Sequence, residues 1–504
     1  MVTSVIQYLI HTTEVYPEKI AYEDESTAIT FFQFNQVVKC IASYVLCYTV
    51  PKTPIVVYMN KGVRSLTAFV GAACAGCYYV PIDVQMPLER VNLILDKLAP
   101  SVIIYDETTK EKIGDLVCDA SFLSYDVASN AMYDERKLKE VINGICNTDL
   151  LYILFTSGST GVPKGVTISH GAVIDFIEWI CGEYHLNQET RFCNQGAFYF
   201  DLSLADIYVP LKTGATTYIP PKSYYTVPKE ILTYIERKDI NTILWIPSAL
   251  CNVVNCHALD VCVPASLKLI MFCGEVMPCK HLNIWMEKVP DAVYVNLYGP
   301  TETTCASMHY TVTDDFNNDG VLPLGKACGN TQILLLDSND HYVQEGKVGE
   351  ICILGQGLSY GYFNDFEKTR KVFVQNPMNS FYSERMYRTG DLAKLVGGEM
   401  IYVGRKDFQI KRLGHRIELE EIENVIISIN EIDNACCLYE QREKRIFAFY
   451  VGDISEMQLK KYIKNKLPRY MIPNRFIKLN CMPINLNGKI DRVKLKMEYF
   501  DKCE

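Results

Sequence analysis

An apolar run, Leu150-Leu151-Tyr152-Ile153-Leu154, leads straight into Phe155-Thr156-Ser157-Gly158-Ser159-Thr160-Gly161-Val162-Pro163-Lys164-Gly165. This stretch constrains the chain more than any other. The first part reads as a strand, and a strand that ends in such a loop is built to hold phosphate. Glycines let backbone N–H groups approach oxyanions, hydroxyls donate, and the lysine supplies charge. The pattern is not a Walker A loop, which ends Gly-Lys-Ser/Thr; here Pro163 precedes Lys164 and Gly165 follows it. Composition alone leaves an ordinary flexible Ser/Gly loop open. The chemistry points to a nucleotide, held by some route other than the P-loop fold.

With 504 residues the chain has material for roughly two to four domains with large cores. Its hydrophobic content of 49% and charged content of 22% are those of an ordinary soluble protein. No apolar run approaches the roughly 18–20 residues needed to span a bilayer. Met1 to Gln7 has no basic region followed by a long apolar one. No membrane insertion and a cytoplasmic location are therefore expected. Of the 20 cysteines, only Cys74 and Cys77 show C-x-x-C spacing, without a second pair or a histidine cluster. They read as buried small hydrophobes, and the thiols as reduced. The net charge of −9 argues against a bulk nucleic-acid binder. Residues 408–504 nonetheless carry more Lys and Arg than Asp and Glu, and Lys460, Lys461, Lys464 and Lys466 share one predicted helix. That face suits an acidic protein partner.

Strand-like runs such as Ile55 to Met59, Ser101 to Tyr105, Thr242 to Ile246 and Leu267 to Phe272 alternate with helical stretches through the first 300 residues. The alternation predicts parallel sheets with helices on their faces. From about Leu322 to Val403 the runs shorten and β-branched residues and turns dominate, which predicts a small antiparallel unit. The last hundred residues read as a separate α+β module, joined at the polar stretch Gly404-Arg405-Lys406-Asp407.

Four further islands have the wrong composition for plain core. Tyr298-Gly299-Pro300-Thr301-Glu302 offers an aromatic face for a base, a tight turn, and a carboxylate able to hold Mg²⁺. Tyr387-Arg388-Thr389-Gly390-Asp391 presents an acid at a turn, suited to ribose hydroxyls. Phe200-Asp201-Leu202-Ser203 sets one acid in an apolar, aromatic run, where it can pair with an ammonium. Asn487-Gly488-Lys489-Ile490-Asp491-Arg492 puts a lysine on a turn near the C-terminus. Any one of these alone could be a turn or a surface acid.

Together, and in this order, they resemble the adenylate-forming superfamily. The likeness is to its amino-acid adenylation enzymes in particular: nonribosomal peptide synthetase adenylation domains and free-standing D-alanine–carrier protein ligases. Tyr79 to Asp83, Gly349-Glu350-Ile351, Gly404 to Lys411 and Leu467 to Pro473 extend the resemblance over nearly the whole chain. It implies an α/β fold with a large N-terminal domain, residues 1–405, of two parallel-sheet α/β subdomains plus a small β-barrel-like subdomain. A small mobile α+β C-terminal domain, residues 406–504, follows.

The resemblance further implies a two-step ligase that uses ATP and Mg²⁺. A carboxylate attacks the α-phosphorus, pyrophosphate leaves, and a carrier protein's phosphopantetheine thiol then takes the acyl group in trans. By position, Thr156, Ser157, Gly158, Ser159, Thr160 and Lys164 would hold the β- and γ-phosphates, and Glu302, beside Thr301, would bind Mg²⁺. Tyr298 would stack on adenine with Asn296 at its edge, Asp391 would take the ribose, and Gly274, Glu275, Gly299, Arg405 and Lys411 would complete the nucleotide site. Lys489 would bridge the attacking carboxylate and the phosphate. Asp407 would be the hinge on which Lys489 swings out while the face near Lys411, Gly414 and Arg416 swings in.

Asp201 would bind a substrate ammonium, since an unpaired carboxylate in an apolar pocket is costly. A small amino acid is therefore expected, with Leu202, Ala205, Cys273, Leu297 and Cys305 as further substrate contacts. Cys273 falls where the D-alanine ligases place a cysteine against the substrate methyl, which makes D-alanine the leading expectation. Ala205 and Leu297 depart from that pattern, where methionine-like and threonine-like residues are expected, and differences of this size change substrate preference. The alternatives are another amino acid for nonribosomal peptide synthesis, an acyl- or aryl-CoA synthetase, and a non-catalytic nucleotide sensor.

Overall fold

A computed structural model describes residues 2–158, 163–313, 316–441, 443–484 and 490–500. The alternation in the first half folds as expected. One seven-stranded sheet has a parallel centre, with Pro54–Tyr58 between Tyr78–Pro81 and Val102–Tyr105. A nine-stranded sheet has a second parallel centre, in which Thr242–Trp245, Leu269–Cys273 and Val293–Tyr298 are neighbours. These central strands are apolar along their length because helices cover both faces. Ile55 and Val57 of the first sheet share one core with Leu244, Met271 and Val295 of the second. The N–H groups at helix starts are satisfied locally: Ser169 accepts from the Ala172 N–H at the head of His170–Glu183.

Antiparallel pairs flank both centres, and the site forms there. Leu150–Thr156 turns back on Lys164–Ser169, with Thr156 opposite Lys164. Val293–Tyr298 pairs antiparallel with Met308–Thr311.

The shorter runs after residue 322 form a five-stranded antiparallel sheet. Its long strand, Arg385–Val396, pairs first with Phe373–Gln375 and then with Glu399–Arg405. Here one expectation is corrected. Asp391 is not at a turn but inside that strand, where Gly390 at φ 73° kinks the backbone and the ladder on either side shifts register. A Cβ at position 390 would meet the Arg405 guanidinium at 2.7 Å.

The next strand begins at Gln409. A two-stranded hairpin, Gln409–Arg412 with His415–Glu418, precedes the helix Leu419–Ile427 and the sheet Ile432–Glu440, Arg445–Gly452, Arg475–Lys478. The core of this module is built from Ile417, Ile422, Ile426, Ala448, Leu459, Ile463 and their neighbours, all after residue 405. The helix Glu456–Lys466 carries the four lysines and opens with a Ser455/Gln458 capping box. Among the described residues no helix is long and apolar enough to cross a membrane.

Candidate active site

The strand ends and loops named above converge between the antiparallel unit, the two large sheets and the C-terminal hairpin. Two adjoining cavities open there. One, of about 330 Å³, is lined by Asp201, Leu202, Cys273, Gly299, Thr301 and Cys305 together with Lys411, Gly414, His415 and Arg416 of the hairpin. The other, of about 520 Å³, is lined by Gly274, Glu275, Asn296, Leu297, Tyr298, Arg405 and Lys411. The first cavity joins residues as far apart in sequence as Gln195 and Arg416; Ser159, Thr160 and Lys489 lie outside the described residues.

Asp201 opens a short turn at the head of the helix Leu204–Thr213. Burial raises its carboxyl above the usual carboxylate range, partly offset by a hydrogen bond from Thr301 and by Lys411. Such a group is stabilised by a cation in its cavity. The cavity wall beside it is formed by Cys273 and Cys305; burial pushes the Cys273 thiol up to about 12, so it is an uncharged apolar surface. Two expected contacts sit elsewhere. Ala205 is fully buried in the core behind that wall, because the whole first turn of its helix packs inward. Leu297 lines the larger cavity instead, between Asn296 and Tyr298.

Tyr298 of the larger cavity donates through its hydroxyl at 2.7 Å to Asp391, which lines the smaller one, and Arg405 donates to the other Asp391 oxygen at 2.7 Å. Asn296 is anchored by donating to the Pro323 carbonyl at 2.8 Å. Arg405 also holds Asp407 at 2.6 and 2.8 Å. Burial would raise Asp407, but Arg405 outweighs it and keeps that carboxyl ionised. Gly299 permits a close backbone approach, since a Cβ there would meet the Cys305 carbonyl oxygen at 2.4 Å.

Glu302 is the electrostatic centre. It is fully buried, and Arg416 donates to its two oxygens at 2.8 and 2.6 Å, while the Tyr362 hydroxyl donates at 2.8 Å. Burial alone would raise this carboxyl; Arg416 and Lys164 outweigh it and hold it well below the usual range. Lys164 lies 3.5 Å from Glu302 and 3.7 Å from Glu418. Burial, then Arg416, lower its ammonium to about 8. The Ser157 hydroxyl donates to the Arg416 carbonyl at 2.7 Å, and the Gly158 N–H donates to Glu421 at 3.1 Å. Glu421 is also ion-paired with buried Arg90. Glu275 accepts from the Ser248 N–H at 2.9 Å and the Gly414 N–H at 3.2 Å.

Sequence reasoning missed Arg90, Tyr362, Glu418 and Glu421, whose partners lie far away in the chain. It also missed His415, whose ring stacks on Tyr470 at 3.6 Å and meets Phe200 edge-on at 4.6 Å. Burial pushes that imidazole down to about 3, so it is neutral.

A family model described as AMP-binding enzyme matches residues 9–363. The chain belongs to that family. The D-alanine--D-alanyl carrier protein ligase of Listeria monocytogenes is 33% identical over 525 residues, covering 99% of both chains. That of Bacillus licheniformis is 32% identical, covering 97% of this chain and 99% of its own. Among solved structures, the Vibrio cholerae adenylation domain AlmE in complex with glycyl-adenosine-5'-phosphate superposes with a TM-score of 0.85 at 20% identity, over 99% of this chain and 98% of that one. Holo-PA1221, a protein with adenylation and PCP domains, gives 0.84 at 23%, over 98% and 84%. Both carry the same mixed α/β fold with parallel-sheet subdomains as this enzyme.

Proposed function

We propose that this enzyme activates D-alanine as D-alanyl adenylate, releasing pyrophosphate, and passes it to the phosphopantetheine thiol of a separate carrier protein. The observation that carries the reading is full-length likeness to ligases of that name, at 33% and 32% identity. Asp201 beside the uncharged wall of a small cavity is the matching chemistry: an ammonium meets the carboxylate, and a methyl-sized side chain meets Cys273 and Cys305. An acyl- or aryl-CoA synthetase has no cation to offer Asp201.

In the first step a D-alanine carboxylate oxygen attacks the α-phosphorus of ATP, and the bond to pyrophosphate breaks. Thr156, Ser157, Gly158 and Lys164, with Ser159 and Thr160, bind the departing phosphates; Tyr298, Asn296 and Asp391 orient the nucleoside. Lys489 bridges the carboxylate and the phosphate as a point charge. Glu302 fits Mg²⁺: it is an ionised, buried carboxylate that a cation already contacts. Among the described residues no cluster of three or more metal-ligating side chains occurs, so phosphate oxygens and water would complete the shell. When bound, the metal neutralises charge on the phosphates.

In the second step the thiol sulfur attacks the adenylate carbonyl, an S–C bond forms, the C–O bond to phosphate breaks, AMP leaves, and the thiol proton passes to solvent. Residues 406–504 pivot at Asp407 between the steps, and the hairpin orientation described above belongs to the second. The partner is an acidic carrier met by the exposed Lys461 and Lys464 on the helix Glu456–Lys466, and the enzyme works in the cytoplasm beside ATP. Intact-mass measurement of a phosphopantetheinylated carrier incubated with enzyme, ATP and D-alanine tests the reading. The gain of one alanyl residue is expected, and an unchanged carrier mass contradicts it.

A further inference from the structure

Four of the groups expected to face magnesium pyrophosphate, Ser157, Gly158, Lys164 and Glu302, are engaged, whereas the Thr156 hydroxyl has no partner among the described residues; each partner has the sign of what it replaces. Lys164, expected to face phosphate, faces the Glu418 carboxylate at 3.7 Å. The Gly158 N–H and the Ser157 hydroxyl, expected to donate to phosphate, donate to Glu421 at 3.1 Å and to the Arg416 carbonyl at 2.7 Å. Glu302, expected to face a metal cation, faces the Arg416 guanidinium at 2.6 Å. All four partners are carried by three residues of one continuous segment, 416–421, and they meet Ser157, Gly158, Lys164 and Glu302 together.

We infer that residues 416–421 form a built-in substitute for magnesium pyrophosphate, with Arg416 in place of the metal and Glu418 and Glu421 in place of phosphate oxygens. The inference rests on the function proposed above. Its physical basis is burial: Lys164 and Glu302 are 4% and 0% exposed, and a buried charge stripped of its partner is strongly destabilising. When pyrophosphate and its metal depart, the hairpin supplies the missing charges in the same places. Pyrophosphate and the docked hairpin therefore exclude one another. Linkage makes this reciprocal: pyrophosphate drives the module out, and docking expels pyrophosphate by the same factor. Arg416 acts as a positioning residue, holding Glu302 neutralised, while Glu418 faces Lys164 as the thiol reacts.

Calorimetric titration of the full chain with magnesium pyrophosphate, without ATP or amino acid, tests this directly. Docking lowers the apparent affinity of the wild type by the fraction of molecules left open. Arg416→Gln is expected to bind magnesium pyrophosphate about tenfold more tightly, and Glu418→Gln to shift in the same direction. Arg416→Lys, which keeps a cation, is expected to stay near the wild type. In parallel, pyrophosphate should inhibit alanyl transfer by Arg416→Gln at about tenfold lower concentration. Unchanged or weaker pyrophosphate binding in both Arg416→Gln and Glu418→Gln overturns the inference. Failure of the wild type to form any adenylate would instead overturn the proposed function, so the two are separable.

Discussion

Arg416 and Glu302 stand 114 residues apart in sequence, yet one guanidinium nitrogen lies 2.8 and 2.6 Å from the two carboxylate oxygens. This pair joins the C-terminal module to the strand-end turn Thr301–Thr303. On the function proposed above, an orientation with Arg416 against Glu302 would suit the second half-reaction. The carboxylate is not free for a metal.

Asp201→Asn removes the charge that an ammonium would pair with, but keeps the shape of the side chain. The KM for D-alanine should rise about 10–100-fold, corresponding to ~1.5–3 kcal/mol for a charged hydrogen bond, with the KM for ATP little changed. Equal changes in both constants would show that Asp201 only supports the fold.

Gly414 sits at φ 76°, and a Cβ there would meet Ile246 Cγ2 at 2.8 Å. Gly414→Val should therefore hinder docking of the hairpin while leaving the first half-reaction intact. Amino-acid-dependent pyrophosphate exchange is expected within a few-fold of wild type, and transfer to the carrier lowered by about 10²-fold or more. Parallel loss of both rates would contradict the assignment of this orientation to the second step.

Lys164 is lowered from 10.5 to about 8, first by burial and then by Arg416. kcat/KM for ATP reports the free enzyme and should fall as pH rises above about 8, when the ammonium is lost; Lys164→Arg should remove that fall. Stability runs the other way. Between about 8 and 10.5 the unfolded chain holds the extra proton, so this group's contribution to stability rises with pH. A profile unchanged in Lys164→Arg would assign the fall to another group.

Asp206, buried beneath the site, is raised from 3.8 to about 7 by burial, with the Asn194 amide opposing. The folded state therefore binds more protons than the unfolded state between these values, and stability falls as pH rises from about 4 to 7. Asp206→Asn lacks this titration, and its amide can donate to Asn194 Oδ1, which has no partner among the described residues. It should be more stable than wild type at pH 8, by up to about 4 kcal/mol. Equal melting temperatures at pH 8 would contradict the shift.

The sequence carried most of the architecture because strand and helix periods are local. Ile55 to Met59 and Thr242 to Ile246 read as parallel strands, and the structure places parallel strands at Pro54–Tyr58 and Thr242–Trp245. The Tyr298–Glu302 island was legible because an aromatic, a glycine and a carboxylate at a strand end serve no core. What stayed hidden are contacts with no local signal. Arg90 and Glu421 lie 331 residues apart, on helices whose periodicity predicts only that each has a buried face. Gly390 reads as a turn because a glycine between polar residues looks alike in a turn and a bulge, and only the partner strands show that the ladder continues. His415 carried no signal beyond its place beside Gly414; its stacking on Tyr470 depends on how the module folds back.

The most direct test is ATP–pyrophosphate exchange measured across a panel of D- and L-amino acids at saturating ATP. D-Alanine should support the fastest exchange, with L-alanine and glycine slower and amine-free acids inactive. Exchange driven best by another amino acid, or by an acid without an ammonium group, would contradict the account.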